Sequence, residues 1–440
     1  MQIVGLGVLG VAGGCVVGAL TARSAALGIV CALALLLLAV VVRRPVTLAV
    51  IALVGAYIGQ RLGGSSATPG LGGGVSYSDA LLAAAAFISL PAVLGTPEGR
   101  RLRVAMYGLS VYLACLLPTV ILNQSTRADF EWVHRLSLVG GSLLVGAWIV
   151  REQLTRTALR WLVGASCLAA LFALENTARH GFSAASPFGW NKNFIGALFA
   201  AVIVVAAAAN SQMKLSPRVQ ATAVVLLASG LLASQSRGGM LAAVFGMLIA
   251  YTLDSRAHSR RARALSILVA LVLAAFAYTS IRDQLNQSHQ DLNNSSIGVR
   301  FNVERVTRDI WRTSPGAGVG LKYFVTGSYG PFAQAPNNVV DNELAESGLV
   351  GLVGFVVLQG SLLAVGFRRR RQNKLVAVGV GVVAGLLLHG QVDIYWIAGS
   401  ASLPFMIMGM ALALGPADGS DRRPDRDEPL AQRSLSPSPV

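Results

Sequence analysis

Residues 194–209 read FIGALFAAVIVVAAAA, sixteen consecutive residues without a charge. About 20 mostly apolar residues cross the hydrocarbon core of a bilayer as a helix, so this stretch and its flanks predict a membrane-spanning helix. Similar runs recur along the chain, and we count about 12 to 14 of them. The sequence therefore predicts an all-α fold, a polytopic integral membrane protein with about 12–14 transmembrane helices.

The overall composition supports this class. Of the 440 residues, 54% are hydrophobic and 13% are charged, whereas an ordinary soluble domain has about 25% charged residues. The net charge is +16, but the basic residues separate apolar runs and form no patch, which is typical of membrane proteins. This composition excludes a soluble globular enzyme, a disordered chain and a nucleic-acid-binding protein.

The positions of Lys and Arg predict the orientation. With the N-terminus in the cytoplasm and 14 crossings, 23 of the 36 basic residues fall on the cytoplasmic side. Six of the other 13 lie in one long outer loop, residues 281–342, where the positive-inside rule has little force. We predict a protein of the cytoplasmic (inner) membrane with both termini inside. Two smaller outer loops are predicted at residues 123–135 and 175–190.

Four polar motifs lie on the predicted outer face. The first is GWNKNFIG, residues 189–196, in which Asn191, Lys192 and Asn193 enter a helix. Donors at a helix N-terminus favour an anion, and the helix dipole adds to this preference. Asparagine capping beside an interfacial tryptophan is the alternative interpretation.

The second motif is SQSRGG, residues 234–239, between two predicted spans. Because the turn is so short, Arg237 lies at or just within the membrane boundary. A guanidinium there needs a carboxylate, a phosphate or a water-filled cavity. The alternative is an arginine that reaches the lipid headgroups.

The third motif is the segment 299–320 of the long loop. Four apolar residues at helical spacing predict an amphipathic helix on the membrane surface: Val299, Val303, Val306 and Ile310. Arg305 lies opposite this apolar face and Arg300 about a quarter-turn from it. Pro315 ends the helix, and glycines up to Gly320 form a flexible turn. Such a helix could hold a diphosphate, or it could be a solvated interfacial helix.

The fourth motif is NNVVDNELAESGLVG, residues 337–351. Glu343 and Glu346 lie on one side of the first turns of a helix, where the dipole alone favours carboxylates. If Glu346 is partly desolvated, it needs a partner such as Arg237. Near an acceptor hydroxyl it could then act as a general base.

In their order and sidedness, these motifs resemble the O-antigen ligase and O-antigen polymerase superfamily of bacterial membrane glycosyltransferases. The resemblance extends over less than half of the chain, roughly Gly189 to Asp393. It rests on the Asn191–Asn193 entry, the turn ending at Arg237, Arg300 with Arg305, the alternating glycines of Pro315–Gly320, and the Leu-Ala-Glu-x-Gly-Leu-x-Gly pattern ending at Gly351.

The resemblance implies a metal-independent glycosyltransferase without a cofactor. Its donor would be a polyprenyl-diphosphate-linked glycan, its acceptor a hydroxyl of a glycan or glycolipid, and its leaving group polyprenyl diphosphate. Arg237 and Arg300, followed by Arg305 and Lys192, would neutralise the charge of that leaving group. Membrane lipids are further expected partners, and nucleic acid is not.

One departure from the ligase pattern concerns the base. Ligases commonly carry His where this chain has Asn337, and an amide cannot accept a proton at neutral pH. Either Glu346 or Asp341 then supplies the base, or the acceptor is only hydrogen-bonded. His389 and Asp393 could also approach the site, or form a packed polar pair. The departure favours polymerisation, or transfer to an unusual acceptor, over transfer to a lipid core sugar.

The motifs and the resemblance together predict two sets of site residues and four regions of the chain. The predicted catalytic residues are Arg237, Arg300, Glu346 and Asn337, and the predicted substrate-binding residues are Asn191, Lys192, Asn193, Arg305, Gly318, Gly320, Asn338 and Asp341. The predicted regions are 1–185, N-terminal transmembrane helices; 186–400, a ligase- or polymerase-like catalytic region that includes the outer loop; 401–416, the end of the last transmembrane helix; and 417–440, a disordered cytoplasmic tail.

The sequence is also compatible with two other functions. A transporter of a lipid-linked or anionic solute would use the same arginines for binding, but transporters place polar residues near the midplane. Here the central spans are almost wholly apolar. The other possibility is a non-catalytic partner in envelope assembly, with the arginine-rich loop as its docking surface.

Overall fold

The computed structural model describes residues 40–58, 76–181, 184–185, 189–254, 260–290, 296–325, 335–397 and 399–416, apart from the side chains of 260–263, 283–290 and 296–297. These ranges are built from helices and short connections, so the predicted all-α fold is confirmed. The first two predicted spans and the predicted tail 417–440 fall outside the described residues.

The helices are numbered in chain order. They are α1 Thr47–Val54, α2 Tyr77–Val93, α3 Pro97–Arg101, α4 Arg103–Leu122, α5 Thr126–Leu136, α6 Ser142–Arg151, α7 Thr155–His180, α8 Lys192–Ala208, α9 Asn210–Met213, α10 Pro217–Ser234, α11 Arg237–Leu253, α12 Arg260–Gln290, α13 Ser296–Thr313, α14 Val339–Arg369, α15 Lys374–His389 and α16 Ser402–Ala413. A π-helical stretch, Ser137–Gly141, joins α5 to α6.

Six described helices are long and apolar enough to cross a membrane. They are α4, the continuous α5–α6, α7, α10, the Ala264–Arg282 part of α12, and α14. Shorter apolar helices lie among them: Thr47–Tyr57, α2, α8, α11, α15 and α16. The protein is therefore a polytopic membrane protein.

Small residues set the helix spacing. Where α11 crosses α15, a Cβ on Gly246 would lie 2.9 Å from the Gly381 carbonyl oxygen, and a Cβ on Gly381 2.4 Å from that of Gly246. The same close approach joins α6 to α16, because a Cβ on Gly146 would lie 2.2 Å from the Met406 carbonyl oxygen. In a lipid bilayer the hydrophobic effect does not drive helices together. Close backbone packing at small residues stabilises their association through van der Waals contacts instead.

Arginines near the ends of three helices donate to backbone carbonyl groups at one end of the bundle. Arg369 donates to the Arg101 carbonyl oxygen at 3.0 Å, and Arg101 donates to that of Ala413 at 2.6 Å. Arg160 donates to the Met213 carbonyl oxygen at 2.8 Å, between the connections at that end. Successive membrane helices run in opposite directions. The starts of α8, α11 and α14 therefore lie at the opposite end of the bundle, which we call the site end. The side of the membrane that each end faces stays a prediction.

The predicted amphipathic helix exists as α13. Val303 and Ile310 are buried, and Arg305 and Arg308 are exposed. Val299, predicted for the apolar face, is 40% exposed, so the apolar face that is buried begins at Val303. The predicted loop 281–342 is shorter than expected, since α12 continues to Gln290 and α14 begins at Val339.

The prediction of an outer loop at residues 123–135 is wrong. Only residues 123–125 connect α4 to α5, and α5 runs directly into α6. Two charged residues of this segment, Glu131 and Arg135, are both buried. They are tolerated inside because other helices supply opposite charges, as described below.

Candidate functional site

Lys192 and Arg237 each occupy the first residue of a helix at the site end. The Asn191 side-chain oxygen accepts a hydrogen bond from the Asn193 backbone N–H at 2.8 Å and caps α8. The Ser236 hydroxyl caps α11 in the same way. Asparagine capping is thus present, and it leaves Lys192 in the first turn of α8, where the helix dipole favours an anion.

These two residues join Arg300 of α13 in a group of three cations, the cation cluster. All three are half-buried. Their charges act on one another, since Lys192 is repelled by Arg237 and Arg300, and Arg237 by Arg300. Three half-buried like charges favour a multivalent anion between them. Arg305 is exposed and lies roughly 140° around α13 from Arg300 at 3.6 residues per turn, so the two arginines point in different directions.

His389 and Asp393 adjoin the cation cluster. Both side chains are buried, with 3.9 Å between His389 Nε2 and Asp393 Oδ2. Asp393 is attracted by Arg300 and Lys192, although burial raises the pKa of its carboxyl group above the ordinary value. A Cβ on Gly238 would lie 3.2 Å from His389 Cδ2, which puts the imidazole directly beside the start of α11.

The start of α14 lies next to this pair. Asn338 caps α14 with its side chain, and the Val339 N–H donates to the Gly390 carbonyl oxygen at 2.7 Å. Asn337, the position where the ligases commonly carry His, is buried. The hydrogen bond between Val339 and Gly390 therefore holds Asn337 close to the chain segment that carries His389.

An arginine of α13 lies between an acidic residue of its own helix and one of α14. Arg308 Nε lies 3.8 Å from Asp341 Oδ1, and another nitrogen of Arg308 lies 3.7 Å from Glu304 Oε2. Partial burial, and after it the charge of Asp341, raise the pKa of Glu304. The predicted binding residue Asp341 thus holds an arginine of α13.

A second group of charges, which the sequence did not predict as a group, lies inside the bundle at the same end. Arg135 is 1% exposed and forms ion pairs with Glu131 at 3.2 Å, Glu343 at 2.8 Å and Glu346 at 3.2 Å. We call these four residues the buried ion network. It joins α5 to the first turns of α14.

Two aromatic side chains complete the surroundings of Arg135. The Tyr112 hydroxyl accepts a hydrogen bond from the guanidinium and donates one to Glu343 at 3.1 Å. The Trp396 indole N–H donates to Glu343 at 2.7 Å, and its ring centroid lies 4.9 Å from Arg135 Cζ, a cation–π geometry. Charge, hydrogen bonds and stacking therefore all fix the guanidinium.

The network extends towards the bundle surface. Lys322 Nζ lies 3.4 Å from Glu131, and His134 bridges Glu131 at 3.1 Å and Asp79 at 3.0 Å. Helices α2, α5 and α14 and the segment after α13 are thereby connected. Among the residues that the structure describes, no group of three or more His, Cys, Asp or Glu side chains could hold a metal ion.

The predicted partner of Glu346 is wrong. Glu346 pairs with Arg135 and not with Arg237, because α14 packs along α4 and brings its first turns to α5. One signal in the sequence pointed there: Glu131 and Arg135 stand four residues apart, the spacing of a helical ion pair, directly before an apolar run. The catalytic role of Glu346 stays a prediction.

The predicted binding glycines pack against α14. Gly318 has φ +73°, and a Cβ there would lie 2.4 Å from the Glu346 carbonyl carbon. The Val319 N–H donates to the Ala345 carbonyl oxygen at 2.9 Å, and the Gly320 N–H to that of Glu346 at 3.1 Å. These contacts attach the turn after α13 to the helix that carries the buried ion network. Contact of Gly318 and Gly320 with substrate stays a prediction.

Replacing Gly318 by Ala should therefore loosen this attachment. The positive φ costs about 1–2 kcal/mol for a residue with a Cβ, and the close carbonyl carbon adds strain. We expect a lower melting temperature in detergent and faster proteolysis of the segment that follows α13. Gly316→Ala is the matched control, because a Cβ at Gly316 meets nothing within 4 Å. Equal melting temperatures for the two variants would contradict the role of the Gly318 contact.

Comparison with known families adds one match. The family model described as O-antigen ligase matches residues 222–356, which include Arg237, Arg300, Gly318 and the start of α14. This stretch lies within the predicted catalytic region 186–400. No curated protein matches the chain.

Proposed function

We propose that the chain, a member of the O-antigen ligase and O-antigen polymerase superfamily, transfers a polyprenyl-diphosphate-linked glycan to an acceptor hydroxyl at the outer face of the bacterial cytoplasmic membrane. The observation that carries the proposal is the cation cluster: Lys192, Arg237 and Arg300 act on one another at one end of a membrane bundle. A diphosphate is the multivalent anion that such a membrane enzyme releases.

The proposed step is a single displacement. The acceptor hydroxyl oxygen attacks the anomeric carbon of the donor glycan, and the bond from that carbon to the diphosphate oxygen breaks. The hydroxyl proton passes to a base, and polyprenyl diphosphate leaves. Positive groups fixed in advance stabilise the charge that develops on the leaving group more effectively than water, which has to reorient.

We propose Asp393 as the base, ahead of Glu346 and Asp341. Asp393 is attracted by Arg300 and Lys192 of the cation cluster, whereas Glu346 is bound to Arg135 within the buried ion network. Asn337 is proposed to orient the acceptor through hydrogen bonds, because its amide donates and accepts but does not titrate.

This assignment predicts a pH dependence. A base must be ionised to accept a proton, and burial raises the pKa of Asp393. The transfer rate should therefore fall as the pH is lowered, starting at a higher pH than an ordinary aspartate would give. Asp393→Asn should slow transfer by about 10²–10⁴-fold and remove this acid limb from the profile of kcat/KM against pH.

Asp309→Asn is the control for this prediction, since Asp309 is 55% exposed on α13. It should keep both the rate and the acid limb. An Asp393→Asn protein that retains the full rate and the same acid limb would exclude Asp393 as the base and leave Glu346 and Asp341 as candidates.

The proposed function is tested by product sizing. Purified protein is incubated with polyprenyl-diphosphate glycan, with and without candidate glycan or glycolipid acceptors, and the products are separated by length. A ladder indicates a polymerase, and a single conjugate indicates a ligase. We expect the ladder, because Asn337 replaces the ligase histidine. No product with any acceptor would contradict the transferase and leave the transporter and the assembly partner.

A further inference from the structure

His389, the last residue of α15, has a polar atom without a partner. Its side chain is 4% exposed, and no residue that the structure describes forms a hydrogen bond with its Nε2 atom. Buried polar side-chain atoms mostly have at least one hydrogen-bond partner, because burying one without a partner is unfavourable. The unpaired imidazole nitrogen therefore points to a ligand that completes its hydrogen bonding.

Asp393 faces the same nitrogen. Its Oδ1 accepts a hydrogen bond from the Ile394 N–H at 2.8 Å, whereas its Oδ2 lies 3.9 Å from His389 Nε2. This distance is too long for a direct hydrogen bond. It suits one oxygen atom between the two side chains, because hydrogen bonds of about 2.8 Å to both atoms would meet at that oxygen at an angle of about 90°.

A hydroxyl group fits between these two atoms better than other oxygen groups do. A hydroxyl donates one hydrogen and accepts at its lone pairs, whereas an ether or carbonyl oxygen only accepts. The ionised carboxylate of Asp393 also only accepts, so the hydroxyl donates to Asp393 Oδ2 and accepts from the Nε2–H of His389. This arrangement assigns the imidazole proton to Nε2 of a neutral ring.

Backbone hydrogen bonds fix the distance between the two side chains. The Val392 N–H donates to the His389 carbonyl oxygen at 3.0 Å and closes the turn that leads to Asp393. The Val339 N–H, at the start of α14, donates to the Gly390 carbonyl oxygen at 2.7 Å inside that turn. Both side chains are therefore in position before a substrate arrives, which lowers the entropic cost of orienting it.

The pair also lies beside the cation cluster. A Cβ on Gly238, the residue after Arg237, would lie 3.5 Å from His389 Nε2, so this nitrogen faces the first turn of α11. The charge of Arg300 acts on both side chains: it attracts the Asp393 carboxylate and opposes a positive charge on His389. A hydroxyl held between the pair would thus lie next to the charges that are proposed to receive the diphosphate.

We propose that His389 and Asp393 form a two-point clamp for the acceptor hydroxyl, with Nε2–H of His389 donating to its oxygen and Oδ2 of Asp393 accepting its hydrogen. The proposal rests on the proposed function, which it deepens by adding a residue that touches the acceptor. As the bond from the hydroxyl oxygen to the anomeric carbon forms, the hydroxyl proton passes to Asp393. His389 keeps its proton throughout and fixes the direction of the attacking lone pair.

His389→Gln and His389→Asn test the clamp as a matched pair. A glutamine amide nitrogen can occupy the position of Nε2, whereas the shorter asparagine amide reaches only that of Nδ1. We expect His389→Asn to lower kcat/KM for the acceptor by about tenfold, the effect of losing one hydrogen bond, and His389→Gln to restore most of it. Initial rates at varied acceptor and then at varied donor should show an unchanged KM for the donor in both variants.

The acid limb attributed to Asp393 should also be unchanged in both variants, because the proton acceptor is the same. His180→Asn is the control. His180 likewise ends a helix, α7, but it is exposed, and its replacement should leave kcat/KM for the acceptor at the wild-type value.

A binding experiment distinguishes the clamp from a purely structural role. The probe is the acceptor glycan that gives product with wild-type protein, compared with its deoxy analogue, in which hydrogen replaces the accepting hydroxyl. The deoxy analogue has no hydrogen bond with His389 to lose, so wild-type and His389→Asn proteins should bind it equally, whereas only wild-type protein should prefer the hydroxylated glycan.

Four results would overturn the clamp: wild-type kinetics in His389→Asn, equal losses in the glutamine and asparagine variants, weaker binding of the deoxy analogue by His389→Asn, or a shifted acid limb. The second and third would make His389 a structural residue, and the fourth would make it a direct partner of Asp393. In each case wild-type protein still transfers glycan. Absence of transfer by wild-type protein would instead contradict the proposed function itself.

Discussion

Replacing Arg237 or Arg300 by glutamine is expected to lower kcat for glycan transfer by at least about 100-fold each. Each substitution removes one of the three charges that act on one another at the site end, and the diphosphate then develops its charge with fewer fixed partners. Initial rates of donor consumption, measured with saturating donor and acceptor, give the effect on kcat directly.

Arg312→Gln is the matched control for these variants. Arg312 is 72% exposed on α13, the helix that carries Arg300, and pairs with Asp309 at 2.8 Å. It should retain the wild-type rate. Full transfer by both Arg237→Gln and Arg300→Gln proteins that are normally inserted would show that the cation cluster does not act on the leaving group.

Replacing Arg135 by methionine should destabilise the protein by about 3–5 kcal/mol, because removing one partner of a buried ion pair leaves its counter-charges without compensation. Glu131, Glu343 and Glu346 all bind Arg135 inside the bundle. The effect should be visible as a lower melting temperature in detergent and as reduced accumulation in the membrane.

Arg179→Met offers a like-for-like comparison. Arg179 also pairs with a glutamate four residues away, Glu175, but it is 73% exposed, and exposed pairs contribute about 0–1 kcal/mol. If the Arg135→Met protein melts at the same temperature as the Arg179→Met protein, the buried ion network does not stabilise the fold. Glu346→Gln adds a second test, since loss of stability with retained turnover would assign Glu346 to the network and not to proton transfer.

The features that could be predicted from the sequence are those that local residue patterns determine. Uncharged runs such as residues 194–209 predicted helices, and the spacing of Val303 and Ile310 predicted α13, because burial of an apolar face follows from spacing along a helix. Arg237 and Arg300 stood out because they lie on the predicted outer side of the membrane, where arginine is less common in short loops. The helix caps at Asn191 and Asn338 were also within reach of sequence rules.

What the sequence could not predict depends on contacts between distant segments. Residues 123–135 were predicted as a loop, whereas Arg135 is buried among partners that include Glu343 and Glu346, about two hundred residues later. The position of Asp393 beside Arg300 likewise depends on how the connection after α15 folds over α11. A hydropathy value is calculated for each sequence window separately. It therefore does not register that a charge in one window is paired with an opposite charge in another.

The separation between Arg135 and Glu343 also has a consequence during synthesis. The two residues are 208 positions apart, and at about 5–20 residues per second roughly 10–40 s pass between their translation. The helix that carries Arg135 therefore reaches the membrane with Glu131 as its nearby counter-charge, before the two carboxylates of α14 exist. Final assembly of the nascent chain has to await its last third, so ribosomes stalled before residue 339 should leave this helix open to protease or to extraction by alkali.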